Sequence, residues 1–192
     1  MDLDNTLYRY LPCHRQGLQE SYSLYRRIFG GLPFREFMKC YLRARKKVNL
    51  RLRRRAASHS RLLYFQTFLE SKYGRTDVRN SLRLEKAYWD AFLDRMRLAK
   101  WVPAFFEYCK ARHLKIVIVT DLTAEIQMKK IRKLGIDRMI DSMVSSEEAG
   151  IEKPHAAIFK LALRKAGLRP TEVLVMGDER HDACSFMEFI KI

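Results

Sequence analysis

The residues after Trp101 alternate short apolar runs with the patterns of amphipathic helices, and this alternation constrains the fold more than any other feature. Strand-length runs separated by helical patterns are typical of a parallel sheet covered by helices. The predicted helices cover residues 103–112, 124–134 and 156–166, and the predicted strands cover residues 115–120, 139–145 and 172–176. We therefore expect an α/β core in this half of the chain.

The residues before Trp101 predict helices only. The segment Gly30-Gly31-Leu32-Pro33 interrupts the helical pattern, and Gly74 ends a later helix. Four helices are predicted, over residues 15–29, 34–55, 60–73 and 77–98. A chain of 192 residues has room for a core domain with a small insert, but not for two large domains.

Polar residues stand where the predicted strands end. Thr120-Asp121 follows the first strand, Gly177-Asp178 and Asp182 follow the last, and Lys153 lies just before a helix. The chain itself opens with Asp2 and Asp4. Because parallel sheets bind ligands beyond the carboxyl ends of their strands, we expect a hydroxyl, a lysine and two pairs of carboxylates to meet at one edge. This combination indicates phosphoryl transfer with a divalent metal.

The order of these residues resembles the motifs of the haloacid dehalogenase-like hydrolases, in the branch with a helical cap inserted after the first motif. Asp2-Leu3-Asp4-Asn5-Thr6 is similar to motif I, and Thr120 to motif II. Lys153 in Gly150-Ile151-Glu152-Lys153-Pro154 is similar to motif III, and Gly177-Asp178 with Asp182 to motif IV. Each string alone is a weak signal, whereas four in order are a strong one.

The resemblance implies a fold and a division of the chain. The fold is α/β, with a Rossmann-like parallel sheet as the core and an inserted bundle of helices as the cap. Residues 1–12 and 100–192 would form the core, and residues 13–99 the cap. The family also has a hydrophobic strand of about 5 to 6 residues before motif I, whereas only Met1 precedes Asp2 here, and only residues 183–192 follow Asp182. We therefore expect a core truncated at both ends.

The resemblance also implies a role for each site residue. Asp2 would be the nucleophile that forms an aspartyl-phosphate, and Asp4 would protonate the leaving oxygen and then activate water. Thr120 would bind the phosphoryl oxygens, and Lys153 would offset the negative charge. Mg²⁺ would be held by Asp2, Asp178 and the backbone carbonyl of Asp4. Asp182 would lie near the metal or reach it through water.

The second aspartate favours a phosphatase over a dehalogenase. Family members that cleave carbon–halogen bonds generally lack the residue that Asp4 represents, and they lack the metal. The expected substrate is therefore a small phosphate ester. A structural interpretation stays open for each residue: Asp2 and Asp4 as exposed terminal residues, Thr120 as a helix cap, Lys153 as a loop residue, and Asp178 as a turn residue.

A basic stretch dominates the charge of the chain, which is +16 at pH 7 with a pI near 9.9. Residues 37–69 contain no acidic residue, and apolar residues at helical spacing predict that the bases share the opposite face. The ten basic residues are Lys39, Arg43, Arg45, Lys46, Lys47, Arg51, Arg53, Arg54, Arg55 and Arg61. Two interpretations stay open: a solvated helix face, and a surface for nucleic acid or another polyanion on a catalytically impaired protein.

The remaining features exclude other classes of protein. Four well-separated cysteines indicate neither a zinc knuckle nor a dense disulfide framework, and no apolar run is long enough to predict a membrane span. We expect a cytoplasmic protein. His14 and His59 fall among the predicted helices, as substrate contacts or as helix-end residues.

Overall fold

The computed structural model describes residues 1–178 of the chain. These residues divide into two compact units: Met1–Tyr10 and Arg54–Ala56 with the residues from Met96 onward, and Leu11–Arg53 with Ala57–Arg95. We call them the α/β unit and the helical unit. No helix among the described residues is both long and apolar enough to cross a bilayer.

The helical unit is formed by four α-helices joined by short connections. These are α1 (Tyr10–Phe29), α2 (Phe34–Arg51), α3 (Arg61–Tyr73) and α4 (Val78–Arg95), with a 3-10 turn at Ala56–His59 at the unit boundary. Helix α3 begins after Ser60, whose side chain accepts the Leu63 N–H, and it ends at Gly74 in the left-handed conformation. Aromatic rings fill the space between α1, α2 and α3, with Tyr25 stacked on Phe68 and Phe37 edge-on to the same ring.

Three predicted helix ends in this unit are wrong, and one of them is that of α4, which ends at Arg95 rather than residue 98. Helix α1 begins five residues earlier than predicted, because Pro12 lies in the first turn, where its missing N–H removes no helical hydrogen bond. The side chain of Asn5 accepts the first N–H of this helix, that of Tyr10. Helix α2 ends at Arg51 rather than residue 55, because the chain turns there and Arg54 adopts a positive φ of 60°.

Nine of the ten basic side chains in the stretch are exposed, but Arg61 is buried. Its guanidinium lies over the rings of Tyr64, Tyr88 and Trp89, at 5.3 to 5.7 Å from their centroids. Aromatic faces attract a cation, so this arginine is part of the interior of the helical unit. The prediction that Arg61 shares a solvated face with the others is therefore wrong.

Gly17 allows helices α1 and α4 to approach closely. A Cβ atom at this position would lie 2.8 Å from both the ring and the backbone oxygen of Tyr88. Gly17→Ala gains about 1 kcal/mol in helix propensity, but the overlap costs about 1–3 kcal/mol because a helix backbone cannot move away alone. At the middle of that range the net loss is about 1 kcal/mol, so we expect thermal unfolding at a temperature lower by roughly 2–4 °C.

The matched control is Gly31→Ala, since nothing lies within 4 Å of a Cβ atom at that position. This control should leave the unfolding temperature almost unchanged. A higher unfolding temperature for Gly17→Ala, measured by calorimetry, would show that the close approach is not needed.

The α/β unit contains a two-stranded parallel sheet surrounded by helices. Its elements are α5 (Val102–Ala111), β1 (Val117–Thr120), α6 (Ala124–Leu134), β2 (Ser142–Ser145), α7 (Ser146–Ala149) and α8 (Ala156–Ala166), with a 3-10 turn at Pro170–Glu172. In the sheet, Val117 pairs with Ser142 and Thr120 with Ser145. Helix α8 packs on it, and Ile158, Phe159 and Leu163 form a buried cluster with Val119 and Val144.

Met1 and Asp2 lie beside β1 in the position of a third, very short strand. The Met1 ammonium donates to the carbonyl of Val117 at 2.6 Å, and Val119 N–H donates to the carbonyl of Met1 at 2.9 Å. On the other side, Asp2 N–H donates to the carbonyl of Met176 at 2.8 Å. The sheet edge that carries β1 therefore continues into the N-terminal residues.

The strand predicted over residues 172–176 is wrong: residues Pro170–Glu172 form a 3-10 turn, and residues 173–176 do not form a strand. A strand needs a ladder of backbone hydrogen bonds, and within residues 1–178 the neighbouring segment supplies a single one to this part of the chain, from Asp2. Val173 and Val175 nonetheless pack against the buried cluster under helix α8.

Candidate active site

Asp2 forms a buried ion pair with Lys153, as the motif order suggested. Its Oδ1 lies 2.8 Å from Lys153 Nζ, and both side chains are only 8% exposed. Its other carboxylate oxygen accepts a hydrogen bond from the Thr6 hydroxyl at 3.2 Å. Partners on both oxygens hold the carboxylate in one orientation and stabilise its ionised form. The structural interpretation of Asp2 as an exposed terminal residue is therefore wrong.

The loop that carries Lys153 is held from its backbone. Lys153 N–H donates to the Asp121 carboxylate at 3.0 Å, and Glu152 N–H donates to the carbonyl of Arg54 at 3.0 Å. Asp121 directly follows Thr120, the last residue of β1. The end of this strand thus positions the lysine opposite Asp2.

Thr120 is almost fully buried at the end of β1. Its hydroxyl oxygen accepts a hydrogen bond from Gln127 Nε2 at 2.6 Å. Gln127 lies in α6 and is fully buried, and the same Nε2 also donates to the carbonyl of Asp121 at 2.5 Å. The side-chain amide therefore connects the strand end to the helix that follows it.

Asp4 is bound by Lys130, a residue that the motif analysis missed. Lys130 Nζ lies 2.8 Å from each carboxylate oxygen of Asp4, and the lysine side chain is fully buried while that of Asp4 is 30% exposed. The Tyr8 hydroxyl also donates to this carboxylate. The rings of Tyr8 and Tyr10 lie 5.9 Å from the ammonium group. Asp4 is therefore fixed by contacts of its own, separate from those of Asp2.

The helical periodicity of α6 contains the signal that could have identified Gln127 and Lys130. The buried residues of this helix are Ile126, Gln127, Lys130, Ile131 and Leu134. Both polar residues thus lie on the apolar stripe of an amphipathic helix, where an amide or an ammonium is costly unless it has a partner. A polar residue on such a stripe, close after a motif residue, predicts a buried polar contact.

Asp178 is the predicted metal ligand whose position the structure supports least. It is exposed, two residues beyond Met176, whose carbonyl accepts the Asp2 N–H. Residues 1–178 contain no group of three or more His, Cys, Asp or Glu side chains close enough to hold a metal ion. The predicted set has only two carboxylates, with the backbone carbonyl of Asp4. Since Mg²⁺ prefers one or two carboxylates and keeps several waters, this donor chemistry fits it. Asp182 lies outside the described residues.

His14 lies in the helical unit, where its Nδ1 is 2.6 Å from the Tyr88 hydroxyl. Burial lowers the pKa of His14 to about 3, and the positive charges of Arg61 and Arg45 add to the effect. The imidazole is therefore neutral in the folded protein at neutral pH and stays so well into the acidic range. Its contact with Tyr88 is an interior one.

This lowered pKa predicts acid destabilisation between about pH 6.5 and pH 3. In that range the unfolded chain binds a proton that the folded chain excludes, so the free energy of unfolding falls as the pH falls. The loss from this group at pH 5 is on the order of 2 kcal/mol. We expect His14→Gln to flatten the pH dependence of urea unfolding over this range, with the exposed His113→Asn as control. An unchanged slope in His14→Gln would contradict the assignment.

Comparison with known proteins identifies relatives of this chain. The family model described as haloacid dehalogenase-like hydrolase matches residues 1–185. The ribulose-1,5-bisphosphate 5-phosphatase of Halopiger xanaduensis is 34% identical over 178 residues, which are 93% of this chain and 74% of that protein. The glyceraldehyde 3-phosphate phosphatase of Methanocaldococcus jannaschii is 39% identical over 69 residues, 36% of this chain and 30% of that protein.

A solved structure shows the same fold. The crystal structure of a HAD phosphatase from Thermococcus onnurineus matches with a TM-score of 0.70 at 19% sequence identity, and the match covers 97% of this chain and 80% of that one. The α/β, Rossmann-like fold predicted from the sequence is thereby confirmed.

Proposed function

This chain belongs to the haloacid dehalogenase-like hydrolases, and we propose that it hydrolyses a small phosphate ester through a phosphorylated Asp2. The observation that carries the proposal is the buried ion pair of Asp2 and Lys153, two residues 151 positions apart in the sequence. A surface carboxylate needs no such partner. An oriented, ionised carboxylate beside a buried ammonium is what a nucleophile for phosphoryl transfer requires.

The first step would form the acyl phosphate. A carboxylate oxygen of Asp2 attacks phosphorus, the bond from phosphorus to the ester oxygen breaks, and that oxygen takes a proton from Asp4. Lys153 would offset the charge of the transition state, and the Thr120 hydroxyl would donate to a phosphoryl oxygen. All four residues belong to the α/β unit.

The second step would release phosphate. Asp4, now ionised, takes a proton from a water molecule, which attacks phosphorus and regenerates the Asp2 carboxylate. Lys130 and Tyr8 both contact the Asp4 carboxylate. Their contacts hold this carboxylate in one position, as a group that takes a proton from a water molecule requires.

We also propose Mg²⁺ as the cofactor, held by the carboxylates of Asp2 and Asp178 and by the backbone carbonyl of Asp4. When bound, it would offset the charge between the phosphoryl group and the nucleophile. The helical region predicted as residues 13–99 would act as the cap and contribute to the choice of substrate. The assignment of the metal rests on the family pattern and on the oxygen donors present, and that of the cap rests on the family pattern alone.

The names of the relatives support a proposal for the substrate class. Their names describe phosphatases of small sugar phosphates, so we propose a phosphorylated sugar or triose. The test measures phosphate release from an aryl phosphate, ribulose 1,5-bisphosphate and glyceraldehyde 3-phosphate, each with Mg²⁺ and with EDTA. Mg²⁺-dependent release from at least one of them supports the proposal. Release that is unaffected by EDTA, or none from any substrate, contradicts it.

A second candidate function is the binding of a polyanion by the helical unit. The observation that favours it is the exposure of nine basic side chains in a stretch without acidic residues. Arg43 and Lys46 lie on α2, and Arg53 follows it closely. Charges arranged in this way neutralise phosphates along a nucleic acid backbone, and the affinity then falls steeply with salt.

Charge reversal separates this function from catalysis. The triple variant Arg43→Glu, Lys46→Glu, Arg53→Glu should lose salt-sensitive binding to duplex DNA while retaining aryl phosphatase turnover within about tenfold, ~1.4 kcal/mol. The control reverses the exposed Lys100, Lys110 and Arg138 in the α/β unit, with the same change in net charge. Equal loss of DNA affinity in both triples would indicate a general charge effect rather than a surface on α2.

A further inference from the structure

Gln127 is a buried polar side chain for which the proposed reaction has no direct use. It is fully buried in α6, and its Oε1 has no hydrogen-bond partner among residues 1–178. A buried carbonyl oxygen without a partner destabilises a protein, and such groups are rare in native structures. A hydrophobic side chain of the same size would avoid this cost. The presence of an amide here is therefore explained by what its nitrogen, Nε2, binds.

The amide nitrogen of Gln127 determines how the Thr120 hydroxyl can bond. Nε2 donates to Thr120 Oγ1 at 2.6 Å, so this oxygen is an acceptor in that contact. An amide NH₂ cannot accept a hydrogen bond, so the direction of the contact is fixed. The hydroxyl hydrogen of Thr120 must then point elsewhere.

Residues 1–178 offer that hydrogen only a weak acceptor. Within residues 1–178, the Thr120 hydroxyl can donate to the carbonyl of Asp121 at 3.5 Å, which is at the outer limit of a hydrogen bond. The same carbonyl already accepts from Gln127 Nε2 at 2.5 Å. The hydroxyl hydrogen is therefore available to an acceptor that is not part of the protein.

We infer that Gln127 is a positioning residue, which holds the Thr120 hydroxyl as a hydrogen-bond donor to a phosphoryl oxygen. The inference rests on the proposed function, because it takes the phosphoryl group as the acceptor. A fixed donor needs no reorientation when negative charge develops on that oxygen, and such preorganisation is what makes a donor effective. Without Gln127, no donor to the Thr120 oxygen sets the direction of the hydroxyl hydrogen, so the hydroxyl can rotate.

A double-mutant cycle tests this inference, with turnover of an aryl phosphate as the first readout. Thr120→Val should lower kcat by about 10²- to 10³-fold, as the loss of one donor to a developing oxyanion does. Gln127→Met keeps the side-chain volume and should lower kcat by about tenfold or more. In the double variant, the Gln127 substitution should add no more than about twofold, because its effect passes through Thr120.

Gln127→Glu provides a second, sharper variant. An ionised carboxylate can only accept, so Thr120 would donate to it and no longer to the substrate. We expect a larger loss of kcat than in Gln127→Met, with the same non-additivity against Thr120→Val. Gln16→Met, an exposed helical glutamine, is the control for the chemical change itself. Thermal unfolding of each variant reports whether it folds.

Equilibrium binding of inorganic phosphate separates the failure of the inference from the failure of the proposed function. If the losses of turnover in the two single variants multiply in the double variant, the inference is overturned but the proposed function is not. If the wild-type protein lacks turnover but binds phosphate with the same non-additive cycle, the inference stands and the proposed reaction does not. Absence of both turnover and phosphate binding would overturn both.

Discussion

Asp2→Asn is expected to abolish aryl phosphate turnover, with a loss of at least about 10³-fold. An amide is a far poorer nucleophile than a carboxylate, and it is also a poorer ligand for Mg²⁺. The substitution leaves the contact of the Thr6 hydroxyl with an oxygen, so the local geometry changes little. Phosphate release by the purified variant, with saturating Mg²⁺, measures the loss.

The stability of this variant needs its own control, because Lys153 is buried and would lose its carboxylate. Removing one member of a buried ion pair, so that the other charge stays buried, lowers the free energy of unfolding by about 3–5 kcal/mol. The double variant Asp2→Asn, Lys153→Met removes both charges and should recover much of that stability, while it remains inactive. Asp137→Asn, at an exposed carboxylate, should behave as wild type. A folded Asp2→Asn protein with wild-type turnover would rule out the mechanism.

Lys130→Met is expected to cause a large loss of stability. The ammonium is fully buried and binds both oxygens of Asp4 at 2.8 Å. Methionine fills similar space but leaves the Asp4 carboxylate without this partner. Because Asp4 is 30% exposed and can be partly hydrated, we expect a cost near the lower end of the range for buried pairs, about 3 kcal/mol. Urea unfolding at neutral pH measures it.

The adjacent lysine supplies the matched control. Lys129 pairs with Glu125 at the surface, with about half of its side chain exposed, so Lys129→Met should cost less than about 0.5 kcal/mol. Adding Asp4→Asn to Lys130→Met should restore part of the lost stability, since it removes the carboxylate that has lost its ammonium partner. Equal unfolding free energies for Lys129→Met and Lys130→Met would show that the buried pair contributes nothing.

The fold and several site residues could be predicted because their signals are local. The predicted helices over 124–134 and 156–166 coincide with α6 and α8, since Gly135 and Gly167 end both in the left-handed conformation. The family was recognisable because its motifs have a fixed order along the chain. The pairing of Asp2 with Lys153 then follows from the convergence of these motifs at one sheet edge.

The partners of Asp4 and Thr120 could not be predicted from motifs, since they depend on which face of α6 is buried. Lys130 and Gln127 look like ordinary helix residues until the stripe of Ile126, Ile131 and Leu134 is known to face the core. Arg61 was misjudged for a related reason: charge alone places it outside, whereas three aromatic rings stabilise it inside. The roles of Asp2, Asp4, Thr120, Lys153 and Asp178 in catalysis and metal binding stay predictions.

The central claim is that Asp2 becomes phosphorylated, and trapping the intermediate tests it most directly. Asp4→Asn should slow the second step, because it removes the base that activates water, so the acyl phosphate accumulates. With radiolabelled aryl phosphate and Mg²⁺, we expect label on the protein that hydroxylamine releases and that peptide mapping assigns to Asp2. Label on any other residue, or none in a variant that still hydrolyses the substrate, would contradict the mechanism.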